Sequence, residues 1–233
     1  MLEPVFINGI NELLSSSRIL NITGKAGSGK TNLALHLAAE LLCNDESCIW
    51  VQASELFPYN RLKQIYEKER LSKILDHIFL IPKNRPIQSY GEQRKVIQNL
   101  TDSKTILPPE TKIIVIDNIS HHLRFEVGSS HSEIARIMNI QNQFYEEQLL
   151  PLISLCNLNF INLILIHEIT YDPSINDSRN FFYKLYDRIR SITIVLRNQV
   201  NSQKKKMEIS YLNSQKEFFY TIDQKGLHID IEH

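Results

Sequence analysis

Short apolar runs alternate with longer amphipathic segments along most of this chain, and the two periods predict its elements. Runs at 18–23, 47–53, 77–81, 112–117 and 160–167 read as strands, and the continuous β-branched run at 112–117 reads as a fully buried one. Segment 30–43 reads as a helix, because Leu33, Leu37 and Leu41 recur four apart with Ala34 and Ala38 on the same face. A charged amphipathic helix is expected over 59–75 and a further helix over 87–100, with Pro108-Pro109 punctuating the loop that follows. A long helix is expected from about residue 132, where Ser130 and Glu133 have capping-box spacing. Pro151 is expected to kink or end it. A polar loop is expected at 170–180, and then short strands at 191–197, 207–212 and 218–222, the first two joined by a turn over 198–206. Alternating strand and helix followed by a β meander predicts an α/β fold, with a mostly parallel sheet, helices on both faces and a C-terminal antiparallel β extension. Neither a repeat nor a linker divides the chain, so 1–233 is expected to form one domain.

Composition sharpens this in one place. The chain has only 7 glycines in 233 residues, where average usage of about 7% would supply roughly 16. Three of them, Gly24, Gly27 and Gly29, fall between the first predicted strand and the first predicted helix. Otherwise the numbers exclude. Hydrophobic content of 42% with 22% charged is ordinary globular composition and rules out a disordered chain. With 26 basic against 26 acidic residues, any nucleic-acid contact must use a local patch. Cys43, Cys48 and Cys156 lack metal or disulfide spacing. No basic start followed by an apolar run opens the chain, and no apolar stretch approaches the ~20 residues of a membrane span. A cytoplasmic protein with no membrane partner is expected.

Gly24-Lys25-Ala26-Gly27-Ser28-Gly29-Lys30-Thr31 fits G-x-x-x-x-G-K-[ST] in its required context between strand and helix, which marks a P-loop. Glycines let backbone N–H groups turn inward around phosphates, and the helix N-terminus adds partial positive charge. Lys30 is expected to reach the β- and γ-phosphates and the Thr31 hydroxyl to bind Mg²⁺. The run Ile113-Ile114-Val115-Ile116-Asp117 supplies the partner motif, a buried strand ending in a carboxylate, which makes Asp117 the second magnesium-associated residue.

With these motifs in view, the chain resembles the RecA/RadA recombinase superfamily, and most of all its archaeal RadB-type paralogs. The resemblance is carried by INELLSSSRILNITGKAGSGKTNLALHLAAELL around the P-loop and by IIVIDNISHHLRFE, similar to the family's Walker B and first DNA-facing loop. INLILIHEIT stands at the strand ending in the family's polar sensor pair, and KEFFYTIDQKGLHI is similar to the RadB-type close. It implies a RecA-like P-loop NTPase core, ATP and Mg²⁺ as cofactors, and DNA repair by homologous recombination. The implied cofactor-binding residues are Gly24, Lys25, Ala26, Gly27, Ser28, Gly29, Lys30, Thr31, Asn32 and Arg61.

Segment 54–64 resembles the family's T-E-G-T-F-R-P-E-R-L element, whose glutamate activates water and whose arginine stacks on adenine. Matching Phe57 and Arg61 puts Ser54 at the glutamate's place. Glu55 is then one residue away, the opposite face of a strand, unless a bulge or slipped register brings it in. If Ser54 replaces the base, binding should outlast efficient hydrolysis, since general-base catalysis contributes ~10²–10⁴-fold. His167-Glu168 stands where the family has Asn-Gln: both can hydrogen-bond near the γ-phosphate or water, Glu168 could instead serve as a base, or the pair simply ends the strand. The implied catalytic set is Lys30, Glu55 and Glu168.

The chain reaches its P-loop soon after Met1, and segment 169–182 contains no glycine where the second recombinase DNA loop is glycine-rich. Both features place it among the paralogs rather than the strand-exchange enzymes. The expected partners are a RadA-type recombinase or another paralog, single-stranded DNA, and a second copy of the chain. Basic residues at Arg188, Arg190, Arg197 and Lys204-Lys205-Lys206 form one candidate DNA patch, and Arg124, Phe125 and Arg136 another. Two other readings remain open. One is a KaiC-like regulatory or motor-associated ATPase without DNA; the other, from Lys25, is the deviant P-loop of the ParA/MinD ATPases.

Overall fold

The computed structural model describes residues 2–43, 45–129, 134–172, 177–199 and 204–230. Its first half alternates strand with one or two helices after an opening helix: α1 (Pro4–Ser16), β1 (Ile19–Gly24), α2 (Lys30–Leu41), β2 (Ser47–Gln52), α3 (Tyr59–Ile65), α4 (Lys68–Asp76), β3 (Ile78–Ile81), α5 (Tyr90–Thr101) and β4 (Thr111–Asp117). Then come α6 (His121–Gly128), α7 (Ile134–Phe144), a π turn (Tyr145–Leu149), α8 (Leu150–Leu158) and β5 (Asn162–His167). The last part is β6 (Ile169–Asp172), β7 (Asp177–Asn180), α9 (Tyr183–Tyr186), β8 (Ile192–Asn198), β9 (Lys205–Tyr211), β10 (Ser214–Asp223) and β11 (Gly226–Asp230).

Nine strands form one sheet in the order β11-β10-β9-β8-β1-β5-β4-β2-β3. Its strands are parallel from β3 through β8, and β8 to β11 pair antiparallel. The α/β fold expected from the chain's periodicity is therefore present, antiparallel edge included. Strand alternation divides the core in two. Cys48, Trp50, Ile113, Val115, Ile164 and Ile166 join α1 and α2 on one face. Ile49, Val51, Ile114, Ile116, Leu163 and Leu165 join α5, α7 and α8 on the other. The central strands β1, β2, β4 and β5 are mostly apolar on alternate positions of both kinds because both their faces are covered.

The structure departs from the sequence reading in several places, among them strand β11 and helix α9, which were not anticipated. Helix α1 was not anticipated, although Phe6, Ile10 and Leu14 recur four apart and are its buried face. The single helix expected over 59–75 is two, because Tyr66 turns extended and buries its ring. There its hydroxyl donates to Glu40 at 3.0 Å and lies 3.3 Å from His36 Nδ1. Pro151 neither ends nor breaks its helix. The backbone stays helical through it, and the π turn directly before it is the local irregularity that accompanies the proline's missing N–H. Segment 170–180, expected as a loop, is mostly the β6–β7 hairpin. The expected first DNA-facing loop is helix α6. The Ser130–Glu133 capping box lies outside the described residues. Among the described residues no helix is long and apolar enough to cross a membrane.

Candidate functional site

The P-loop lies between β1 and α2, and its shape depends on missing side chains. A Cβ on Gly24 would lie 2.4 Å from Ser28 Oγ and 2.7 Å from the Leu196 carbonyl oxygen. Gly27 and Gly29 take φ of +72° and +98°, which side chains resist, and a Cβ on Gly29 would meet Ile222 Cδ1 at 2.5 Å. Ser28 is buried, with its N–H donating to the Lys25 carbonyl at 3.1 Å. Its own carbonyl accepts from the buried Tyr220 hydroxyl of β10 at 2.7 Å. The Lys30 ammonium donates to the Gly24 and Lys25 carbonyls at 2.9 and 3.1 Å. Burial lowers its pKa, and the carboxylates of Asp117, Glu168 and Glu55 oppose that shift.

The two nucleotide motifs meet directly. The Thr31 hydroxyl donates to Asp117 Oδ2 at 2.9 Å, joining the start of α2 to the C-terminal end of β4. Burial pushes Asp117 up to about 6 and Glu55 adds to this, while the Thr31 hydrogen bond and Lys30 pull it down. Two hard oxygens beside a phosphate cradle suit Mg²⁺, which takes few protein ligands and completes its shell with phosphate and water. Among the described residues no cluster of three or more His, Cys, Asp or Glu could hold a metal. Thr31 and Asp117 could therefore hold magnesium only together with phosphate oxygens.

A cleft of about 480 Å³ opens over this pair, lined by Gly24, Lys25, Ala26, Gly27, Lys30, Thr31, Ser54, Glu55, Asp117, Asn118, His121, Arg124 and Glu168. A pocket of about 370 Å³, bounded by Gly29, Asn32, Pro58, Arg61 and Ile222, shares Gly27, Lys30, Thr31 and Glu55 with it. Arg61 Nη2 donates to the Asp223 carbonyl at 2.8 Å, which holds the guanidinium against the end of β10. Asn32 is buried, and its side-chain amide has no hydrogen-bond partner among the described residues. One cleft and its annex thus gather every residue the sequence marked for cofactor, metal or catalysis, Ser28 from beneath the loop.

Two placements are decided by local geometry. Strand β2 ends at Gln52, and the N–H groups of Ala53 and Ser54 both donate to the Asp117 carbonyl, at 2.8 and 3.0 Å. The chain bends there, so Ser54 and Glu55 both line the cleft. Alternation of faces had set Glu55 apart from the Ser54 position, but the strand stops before that rule applies. The His167-Glu168 pair divides the other way. His167 is fully buried, its Nε2 donating to Asn21 Oδ1 at 3.0 Å and its ring 4.3 Å from that of Tyr186. Burial drives its pKa down to about 3, with Lys30 contributing. Only Glu168 faces the cleft.

The basic patches are engaged internally. Arg197 and Lys206 pair with Glu208 at 3.1 Å, Lys206 also with Glu217 at 2.8 Å, and Lys204 with Asp230 at 2.9 Å. Lys205 donates to Asn198 at 2.5 Å and Arg190 to the Tyr211 hydroxyl at 2.9 Å. Arg188 lies over the Tyr145 ring. Arg124 turns into the cleft to pair with Glu168, while Phe125 and Arg136 stay exposed. Sequence reasoning missed Asn118, His121 and Tyr220 as parts of the site. They lie inside the segments that carry the resemblance, but only their arrival at one place in the fold gives them a part in the site.

Parallel strands, a P-loop on the first of them and a Walker B carboxylate two strands away define a RecA-like P-loop NTPase core. Within that class the chain is similar to archaeal RadB. It is 27% identical over 179 residues to the DNA repair and recombination protein RadB of Pyrococcus abyssi, spanning 74% of this chain and 69% of that one. The match to the protein of the same name from Methanococcoides burtonii is 29% identical over 138 residues, 58% of this chain and 57% of that one. The crystal structure of the RadB recombinase shares the fold, with a TM-score of 0.69 over 92% of this chain and 90% of that one, at 20% identity. No protein-family model matches the chain. The resemblance to RadA/RadB-like recombinase paralogs thus stands in both sequence and fold.

Proposed function

We propose that this chain is an ATP-binding recombinase paralog that assists DNA repair by homologous recombination alongside a RadA-type recombinase. The observation that carries the nucleotide reading is the Thr31–Asp117 hydrogen bond beneath a glycine loop that also presents Lys30. Bound ATP with Mg²⁺ supplies the phosphoanhydride, and the metal neutralises its charge. The chain's own work is to hold it. Loop N–H groups and Lys30 bind phosphate, Thr31 and Asp117 hold the metal, and Arg61 with Ile222 flanks the base.

Hydrolysis is slow in this reading. Ser54 stands at the place of the activating glutamate, and the carboxylates that line the cleft with it, Glu55 and Glu168, are left to orient water. Single-stranded DNA binding is weak. The internal pairing of the basic hairpin favours, on this point alone, the second reading: a nucleotide-dependent protein-interaction module of KaiC-like type that binds no DNA.

Calorimetric titration with ATP and Mg²⁺ tests the first part: the wild type binds, and Lys30→Ala loses at least most of that affinity. Unchanged affinity in the variant removes the phosphate-cradle assignment. Filter binding of single-stranded DNA at two salt concentrations tests the second. A weak, salt-dependent signal supports the recombination reading, and no binding at either concentration favours the interaction module.

A further inference from the structure

A carboxylate is an awkward lining for a phosphate cleft, because it repels the ligand unless something neutralises it. Glu168 lines this cleft together with Lys30, Thr31 and Asp117. The group that neutralises it is Arg124 of α6, whose Nη1 pairs with Glu168 Oε2. Glu168 Oε1 in turn accepts from Asn118 Nδ2 at 3.0 Å and lies 3.7 Å from His121 Nδ1. The Arg124 guanidinium also rests over the Phe125 and Phe181 rings, 5.3 and 5.9 Å from their centres. Among the described residues it is the one guanidinium lining this cleft.

We propose that Arg124 reads the terminal phosphate of a nucleoside triphosphate, exchanging its internal anion, Glu168, for the ligand's. The inference rests on the nucleotide reading above and adds a discrimination to it. A planar guanidinium matches phosphate oxygens in a bidentate way as well as it matches a carboxylate. A triphosphate therefore competes with Glu168 for Arg124. A diphosphate lacks the competing group and leaves the pair intact. The exchange also has a structural readout, because the Phe181 N–H donates to the Glu168 carbonyl at 3.1 Å and the guanidinium covers the Phe181 ring. The same pair thus ties the cleft to the end of the β6–β7 hairpin.

The test is a calorimetric comparison of ADP with a hydrolysis-resistant ATP analogue, in the presence of Mg²⁺, on the full chain. The wild type is expected to prefer the analogue. Glu168→Gln, which removes the competitor and keeps the side-chain shape, is expected to widen that preference. In the Glu168→Gln background no carboxylate remains to be unmasked when Arg124 is removed. Arg124→Ala in that background is expected to weaken the analogue by about tenfold or more and ADP by less than about twofold, the signature of a lost charge-assisted hydrogen bond to the terminal group alone. Equal losses for both ligands, or no loss for either, overturn the proposal. Arg124→Gln in the same background carries the identical comparison if the alanine variant does not fold. A wild type that binds neither ligand overturns the nucleotide reading and this inference with it. Retained binding whose analogue-to-ADP ratio ignores Arg124 overturns this inference alone.

Discussion

His36 and His167 are sealed inside the protein as neutral imidazoles. His36, on α2, accepts from the Leu227 N–H at 3.2 Å and faces the Tyr66 hydroxyl, while His167 donates to Asn21. Burial first, and nearby positive groups after it, lowers His36 to about 3, and His167 is lowered in the same direction. Each is depressed in the folded state, so between about pH 6.5 and 3 the unfolded chain binds more protons than the folded one. Stability contributed by the neutral rings is complete above pH 6.5 and is lost as pH falls below it, by at most about 1.4 kcal/mol per pH unit for each histidine. Urea unfolding at pH 7, 5.5 and 4 should show the midpoint falling, and His36→Gln should flatten the fall. A midpoint independent of pH over this range would contradict the buried neutral assignment. Nothing local distinguishes these two histidines from the other described ones. Their environment is made by residues distant in the chain.

At the scale of elements, strand β10 is the brace of the site. Tyr220 holds the Ser28 carbonyl from below, Ile222 fills the space a Cβ on Gly29 would need, and the Asp223 carbonyl holds Arg61. Tyr220→Phe keeps the packing and removes the hydroxyl, leaving a buried carbonyl unpaired at a loss of about 1–3 kcal/mol. Thermal melting should show a lower midpoint, and calorimetry should show weaker nucleotide binding, since the loop that cups the phosphates loses its support. An unchanged melting temperature and affinity would show that β10 only passes by. The second half of the strand was legible at 218–222, and so were β1, β2, β4 and β5 from their apolar runs. Its role was not, because 192 residues separate Tyr220 from Ser28. The break between α3 and α4, the π turn before Pro151 and the early end of β2 at Gln52 were likewise hidden. The first and last go with partners distant in the chain, Glu40 and His36 for Tyr66 and the Asp117 carbonyl for Ser54, while Gln148 within the π turn accepts from Gln93.

For the molecule as a whole, balanced charge is also locally balanced. The Lys206 ammonium bridges Glu208 and Glu217, so a phosphate must displace two carboxylates to reach it. Lys206→Ala is therefore expected to leave the salt dependence of any single-stranded DNA binding within about half a unit of log–log slope, where a lost phosphate contact removes about 0.7. A loss of the larger size in filter binding would place this hairpin on the DNA after all. By itself the sequence determined the P-loop, the Walker B carboxylate, the α/β class and the resemblance to recombinase paralogs, because each is written in residues close together in the chain. Periodicity and short motifs are local, and the backbone obeys them wherever the segment lands. Only the tertiary structure decided that Glu55 enters the cleft, that His167 leaves it, that Arg124 faces Glu168 and that β10 carries the P-loop. Those outcomes depend on strand order and on which distant side chain fills a buried space, and close packing makes that choice over the whole fold at once.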